Sequence, residues 1–418
     1  MRTCLLLLAS TSLAACGGAG VQSVGSVAAP SSGATGASAG SVSPHTFVNP
    51  TDPKTYSAIG GVHAFRYTTN NIDGNPATPV IDPSSTQYNQ LYAGDASTAR
   101  NSGITVTYNP RDAIFDIAIA QPLGNVTQTT RFQDPAHRTN FGGAVGPQGG
   151  VPNLTAAGAN NLPGINYLEV GSGSGPARFD PAESTIFPVG DQGYTQSGTT
   201  FFYQRPGTTT RYVTFAGFIR NALTISQVTP INGTPYLENN FTLERGAFTF
   251  GERTGNSSVP ITGTGTFNGS MLATLVFNNL IDTNAGAPTY FQWMTGTSRA
   301  TVNFAANSFT LALAGTVMAP MFDTYTSRVF TLQNGATFAA SGSGRIDLVT
   351  AGGFLGQFQS AAFTQPGGGT PLALNIAGSS IDGAFYGPAA EEVGGGFRIV
   401  GGTPDERIDI LGAFTGAK

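Results

Sequence analysis

From about residue 58 onward, apolar side chains recur at every second position in short runs separated by Gly, Pro, Asn and Asp. That period belongs to strands with one buried face, not to helices. Ile104, Val106 and Tyr108 alternate with Thr105 and Thr107, Asn109-Pro110-Arg111-Asp112 turns the chain, and Phe115, Ile117 and Ile119 alternate with Asp116 and Ala118. The spacing predicts a hairpin. Similar runs predict strands at 58–67, 199–204, 211–219 and 241–250, then at 261–268, 271–278, 298–304, 308–317, 343–349, 354–363, 380–386, 395–400 and 408–415. Residues 121–197 are rich in Gly, Pro and Asn and give few strand signals, as functional or disordered loops do. No convincing amphipathic helix exceeds a few turns. Many short antiparallel strands make a sandwich or a barrel. Glycines inside the runs, such as Gly263, Gly265, Gly356 and Gly383, favour a barrel, where sharp coiling and close backbone approach are needed.

The first residues follow a different logic. Arg2 precedes an uncharged run with an apolar core at Leu5–Leu8, and Leu13-Ala14-Ala15-Cys16 closes it. This reads as a bacterial lipobox: residues 1–15 form a secretory leader too short to span a bilayer, and Cys16 carries the lipid. Several acyl chains hold a protein far more firmly than one. Gly17 follows the cysteine, which resembles sorting to the outer membrane. Between Gly17 and Pro44, 20 of 28 residues are Gly, Ser or Ala. Such a segment cannot bury enough apolar surface to order itself, so residues 16–45 read as a tether with a reach of about 30 Å.

Composition narrows the function. Charged residues make up 10% of the chain and the formal net charge is −4, or −5 once Arg2 leaves with the leader. No basic stripe exists to displace counterions from phosphates, so nucleic acid is not an expected partner. The only cysteines are Cys4, discarded with the leader, and Cys16, so the mature chain has no disulfide, no zinc-thiolate centre and no nucleophilic thiol. A body of this length needs no covalent staples. An integral porin-like barrel is opposed by the lipobox, by the lack of broad lipid-facing apolar bands and by an ending in Lys418.

Candidate chemistry is sparse. Gly171-Ser172-Gly173-Ser174-Gly175 places serine at the wrong offset for a nucleophile elbow and reads as a loop. His45 lies in the tether, His63 in a strand-like run, where it reads as a satisfied residue and not a haem or metal ligand, and His137 in the irregular stretch. Asn70-Asn71-Ile72-Asp73-Gly74-Asn75 lacks the downstream glutamate of a calcium loop. Trp293, with Tyr290 and Phe291, reads as core or rim packing at a barrel end. Catalytic residues, metal ligands and cofactors are therefore expected to be none.

The C-terminus reads Ile381-Asp382-Gly383-Ala384-Phe385-Tyr386-Gly387-Pro388-Ala389-Ala390-Glu391-Glu392-Val393-Gly394-Gly395-Gly396-Phe397, and later Gly412-Ala413-Phe414. Gly387-Pro388 breaks a strand, a single helical turn can follow with Glu391 and Glu392 near its start, and the glycines re-enter the sheet. Adjacent carboxylates point apart, so the pair is structural, not catalytic. These residues resemble the closing strands of the transferrin-binding protein B-like surface lipoproteins, with a Phe-Tyr-Gly-Pro turn and a Gly-Gly-Phe strand. The resemblance reaches back to the Thr262-Gly263-Thr264-Gly265-Thr266-Phe267-Asn268-Gly269 run. It implies an all-β protein with minor helix: a β-rich handle domain at 46–257, then a soluble eight-stranded antiparallel barrel at 258–418. One copy of the closing motif implies a single-lobe member. The family further implies a non-enzymatic protein that captures an iron source, a host protein or haem, for a TonB-dependent receptor, and that reaches the surface through a lipoprotein translocator. The alternative is an adhesin or immune-evasion lipoprotein of the factor H-binding type. The ligand-binding residues are unknown from sequence.

Overall fold

The computed structural model describes residues 52–70, 102–120, 126–133, 150–155, 162–173, 195–231, 234–278, 290–319, 332–350, 352–403 and 406–418. Cys16, the tether, His45 and His137 lie outside them, as does all of the Asn70–Asn75 run except Asn70.

Three antiparallel sheets account for the described strands. The first pairs β1 (Lys54–Ser57), β3 (Ile104–Asn109), β4 (Ile114–Ala120) and β5 (Thr127–Gln133) in the order β1-β3-β4-β5. The expected hairpin joins β3 to β4 with Tyr108 opposite Phe115, and the Asn109 side chain accepts the Arg111 N–H to set its turn. The second sheet runs β2-β9-β8-β7-β6. It comprises β2 (Ile59–Asn70), β6 (Ile165–Gly173), β7 (Thr195–Gln204), β8 (Val213–Ile231) and β9 (Thr234–Gly251). One face packs on the first sheet through Val62, Phe115, Phe132, Phe201, Phe218, Phe248 and Phe250.

The other face of that second sheet is also covered, because it lies against the outer wall of the barrel through Phe202, Phe215, Ile219 and Ala247. Every residue from Val213 to Ile219 is consequently buried. A sheet covered on both sides reads as a continuous apolar run instead of an alternating one. β8 and β9 run beyond the predicted 211–219 and 241–250, to Ile231 and from Thr234.

The barrel consists of β10 (Thr264–Asn278), β11 (Tyr290–Asn303), β12 (Ser308–Val317), β13 (Thr337–Asp347), β14 (Gly353–Thr364), β16 (Ile376–Tyr386), β17 (Glu392–Thr403) and β18 (Glu406–Ala417). Their order is β13-β12-β11-β10-β18-β17-β16-β14, and β13 pairs with β14 to close the ring. The two-residue β15 (Leu372–Ala373) is an appendage on β14. The fold is thus all-β with an eight-stranded barrel, as expected, and helix among the described residues is limited to a 3-10 turn at Asn256–Ser258.

Phenylalanine fills the barrel: Phe267, Phe304, Phe309, Phe338, Phe354, Phe358, Phe363, Phe385, Phe397 and Phe414 are all buried in one cluster. Rings of this size fit a small barrel only where facing backbone carries no side chain. A Cβ on Gly383 would fall inside the Phe354 ring, and one on Gly412 inside the Phe397 ring. Small residues under large ones let the inner layer interdigitate at crystal-like density. Two readings change here. Residues 261–268 and 271–278 are not separate strands: β10 runs through Gly269 without a turn, because Gly269 backs onto the Thr415 carbonyl of β18 where a side chain has no room. Gly263 lies outside the strand, with a left-handed φ of 82° in the approach to β10.

The ends of the barrel differ. At one end β11 to β12, β13 to β14 and β16 to β17 are joined by residues 304–307, 348–352 and 387–391. At the other, the connections are the longer segments 279–289, 318–336 and 365–375, with 404–405 between β17 and β18.

Candidate functional site: a buried ionic seam and the barrel wall

Charged groups are few in this chain, yet several are spent in the seam between the second sheet and the barrel. His63, on the barrel-facing side of β2, is fully buried. Its Nδ1 lies 2.8 Å from the Thr274 hydroxyl of β10, and its Nε2 lies 3.4 Å from Oδ1 of Asp409 on β18. Asp409 is fully buried too and accepts a two-pronged contact from Arg398 of β17, at 3.1 Å from Nε and 2.8 Å from Nη2. Burial alone pushes the Asp409 carboxyl up, but the charges and hydrogen bonds of His63 and Arg398 outweigh it and hold it below the usual carboxylate range. His63 therefore serves as a structural link between sandwich and barrel, with no open face for a ligand.

Arg245 is the register partner of His63 on β9 and is also buried. It donates to the Glu244 carbonyl at 2.8 Å and the Arg220 carbonyl at 3.3 Å, and stacks over the Phe291 ring with its charge centre 5.6 Å away. Burial pulls its guanidinium down to about 9, against the opposing pull of Glu244. On the opposite, sandwich-facing side of the sheet, Arg220 of β8 and Glu244 of β9 form another buried pair at 3.2 Å.

Trp293 also belongs to the seam. The sequence placed it at a barrel end, but in β11 it points outward from the wall, donates its indole N–H to the Gly150 carbonyl at 2.9 Å, and meets Phe202 edge-on at 5.5 Å. The Glu391–Glu392 expectation changes as well. Residues 387–390 form a turn, not a helical turn, with Ala390 at a left-handed φ of 58°. Glu391 accepts the Ala389 N–H, whereas Glu392 leaves the barrel and accepts three backbone N–H groups at the start of β8: Arg211 at 2.5 Å, Tyr212 at 2.8 Å and Val213 at 3.1 Å. Burial raises the Glu392 carboxyl despite those three bonds. The two carboxylates accept from different backbone groups, and the charge of Glu391 adds to the raising of Glu392. Gly171–Gly173, read as loop, are the end of β6.

An open cleft of about 490 Å³ lies in the barrel wall. It forms where β14 and β16 pair over only three positions, from Phe354 opposite Gly383 to Gly356 opposite Ile381. Thr350, Leu355, Gln357, Ser380 and Asp382 line it. Among the described residues, no three His, Cys, Asp or Glu side chains gather as a metal site.

A two-sheet sandwich locked by buried charges to the wall of a closed eight-stranded barrel defines a class of all-β scaffold that presents loops. Residues 259–418 match the family model described as the C-lobe and N-lobe β-barrels of transferrin-binding protein B, so the barrel of this chain is similar to those barrels. Solved structures of transferrin-binding protein B are similar at low identity. A tryptophan-to-alanine variant of the vaccine antigen from Haemophilus parasuis Hp5 has 15% identity over 87% of this chain and 77% of that one, with a TM-score of 0.26. The isotype 1 protein from serogroup B Neisseria meningitidis has 11% identity over 88% and 77%, with a TM-score of 0.22. No curated protein matches the chain.

Proposed function

We propose that this chain is an outer-membrane surface lipoprotein, anchored through Cys16, that captures an iron source without chemistry of its own and passes it to a TonB-dependent receptor. The match of residues 259–418 to the transferrin-binding protein B barrel carries the reading, since the proteins of that model are named for binding transferrin. In this scheme residues 1–15 are removed, 16–45 tether the body, 46–257 form the handle and 258–418 the barrel. A host iron or haem protein, or haem itself, is the ligand, and a lipoprotein translocator delivers the protein to the surface. A rigid wall with long connections at one end suits capture, because loop sequence varies freely on a fixed frame.

The test immobilises the unlipidated body, residues 46–418, and measures binding of iron-loaded transferrin, haemoglobin and haem. Saturable binding of one of them is expected. No binding of any, with saturable binding of a complement regulator or a polyanion instead, would transfer the protein to the immune-evasion class.

A further inference from the structure

Among the described residues only three large apolar side chains are exposed, and two of them, Ile261 at 80% and Val349 at 95%, lie at the tight-turn end of the barrel. Hydrogen bonds tie their segments together. The Phe304 N–H donates to the Gly263 carbonyl at 3.0 Å, the Ile346 N–H donates to the Asn307 carbonyl at 2.8 Å, and the Asn256 amide donates to the Leu348 carbonyl at 2.6 Å. Residues 261–263, 304–307 and 346–350 therefore form one rim, to which Ala305 and Ala306 add exposed methyl groups. Cations flank it. Lys418 stands over the Phe267 and Phe304 rings at 5.3 and 5.7 Å, and Arg345, which is 70% exposed at its side chain, pairs with Asp347 at 3.7 Å. Isolated exposed aliphatics are ordinary, but apolar tips gathered at one end with basic neighbours are the pattern of an interfacial contact.

The way the chain reaches this body says what covers the rim. Its first described residues meet the same end: Lys54 pairs with Glu252, whose carbonyl accepts the Gly387 N–H of the β16–β17 turn at 2.9 Å. From Glu252 the chain passes directly through Asn256 to Ile261. The described chain thus begins beside the rim, while the long connections join strands at the opposite end of the barrel.

We infer that the rim of Ile261, Ala305, Ala306 and Val349 rests on the anionic headgroup surface of the membrane that holds the chain, pointing the long connections outward. This rests on the Cys16 anchor of the proposed function. A tether with a reach of about 30 Å lets the rim return to the bilayer, and Lys418 beside it favours anionic headgroups, whereas the charge of Arg345 is offset by Asp347.

The experiment uses the full lipidated chain in vesicles of phosphatidylethanolamine, phosphatidylglycerol and lipopolysaccharide. Single Val349→Cys, Ile261→Cys and Gln333→Cys variants carry an environment-sensitive fluorophore, Gln333 being exposed on the β12–β13 connection at the far end. The expected result is a blue shift at positions 349 and 261 and loss of their emission when headgroup spin-labelled lipid is added, both absent at position 333. If the protein floats with the vesicles but positions 349 and 261 behave like 333, the docking inference fails and the anchor stands. Protein that does not float removes the anchor, and the docking falls with it. Cross-linking of position 349 between two copies without vesicles would make the rim a self-interface and overturn the inference.

Discussion

Replacing Asp409 by alanine removes the one carboxylate shared by His63 and Arg398. The carboxylate is fully buried, the His63 ring is fully buried, and the Arg398 side chain is 12% exposed, so neither partner gains much water in exchange. Breaking a buried pair by deleting one member costs about 3–5 kcal/mol, because the remaining charge is stranded. At about 1.4 kcal/mol per tenfold, even the lower figure raises the unfolded population by roughly two orders of magnitude. Urea unfolding followed by tryptophan fluorescence reads this directly, since Trp293 is the single tryptophan and sits in the same seam. A companion triple variant, His63→Leu with Asp409→Leu and Arg398→Met, removes the charges together and should cost far less than the single change. The reasoning fails if Asp409→Ala costs under about 1 kcal/mol or if the triple variant is as damaged as the single one. The pH dependence has a definite sign. A carboxylate held below its unfolded value, ordinarily about 3.9, contributes stability that is present above that value and is lost as pH falls through the folded pKa. Wild type should therefore lose seam stability below about pH 4, and Asp409→Asn should flatten that loss.

Other outcomes follow from the same packing. Gly383→Val forces a side chain into the Phe354 ring and should lower stability by about 1–3 kcal/mol in thermal or urea unfolding, whereas Ser341→Ala, on the exposed face of β13, should change it by less than about 0.5 kcal/mol. Glu392→Ala leaves the Arg211, Tyr212 and Val213 N–H groups without their acceptor and should cost about 1–3 kcal/mol, read as earlier hydrogen exchange at the start of β8. In wild type the raised Glu392 carboxyl acts opposite to Asp409: as pH rises from about 4.3 through its folded pKa, ionisation removes stability, so Glu392→Gln should lessen that decline. Trp293→Phe loses the bond to the Gly150 carbonyl and should cost about 1–3 kcal/mol, monitored by circular dichroism because the reporter is gone.

How legible each part was depends on what covers it. β12 matches the predicted 308–317 because it has one buried and one exposed face, so its alternation is clean. β5 and β6 went unread: Thr127-Gln128-Thr129-Thr130-Arg131-Phe132-Gln133 is an edge strand with only Phe132 buried, which leaves almost no apolar period. β10 looked broken because Asn268-Gly269-Ser270 is turn-like in isolation, and only the neighbouring β18 shows why glycine is needed there. The barrel-closing residues were legible because their Phe-Tyr-Gly-Pro and Gly-Gly-Phe runs resemble those of a known barrel family. The seam was not, since His63 and Asp409 are far apart in the chain and Asp409 looks like an ordinary solvent-facing residue between Ile408 and Ile410. A charge on the outward face of a strand is informative only once something is known to cover that face.

The central claim is capture of an iron source at the cell surface. The most direct measurement is binding of fluorescent iron-loaded transferrin, haemoglobin and haem to intact cells carrying the wild-type chain, the Cys16→Ser chain or neither. The account predicts saturable binding of one of these ligands to wild-type cells alone. Equal binding by all three strains, or none by any, would contradict it.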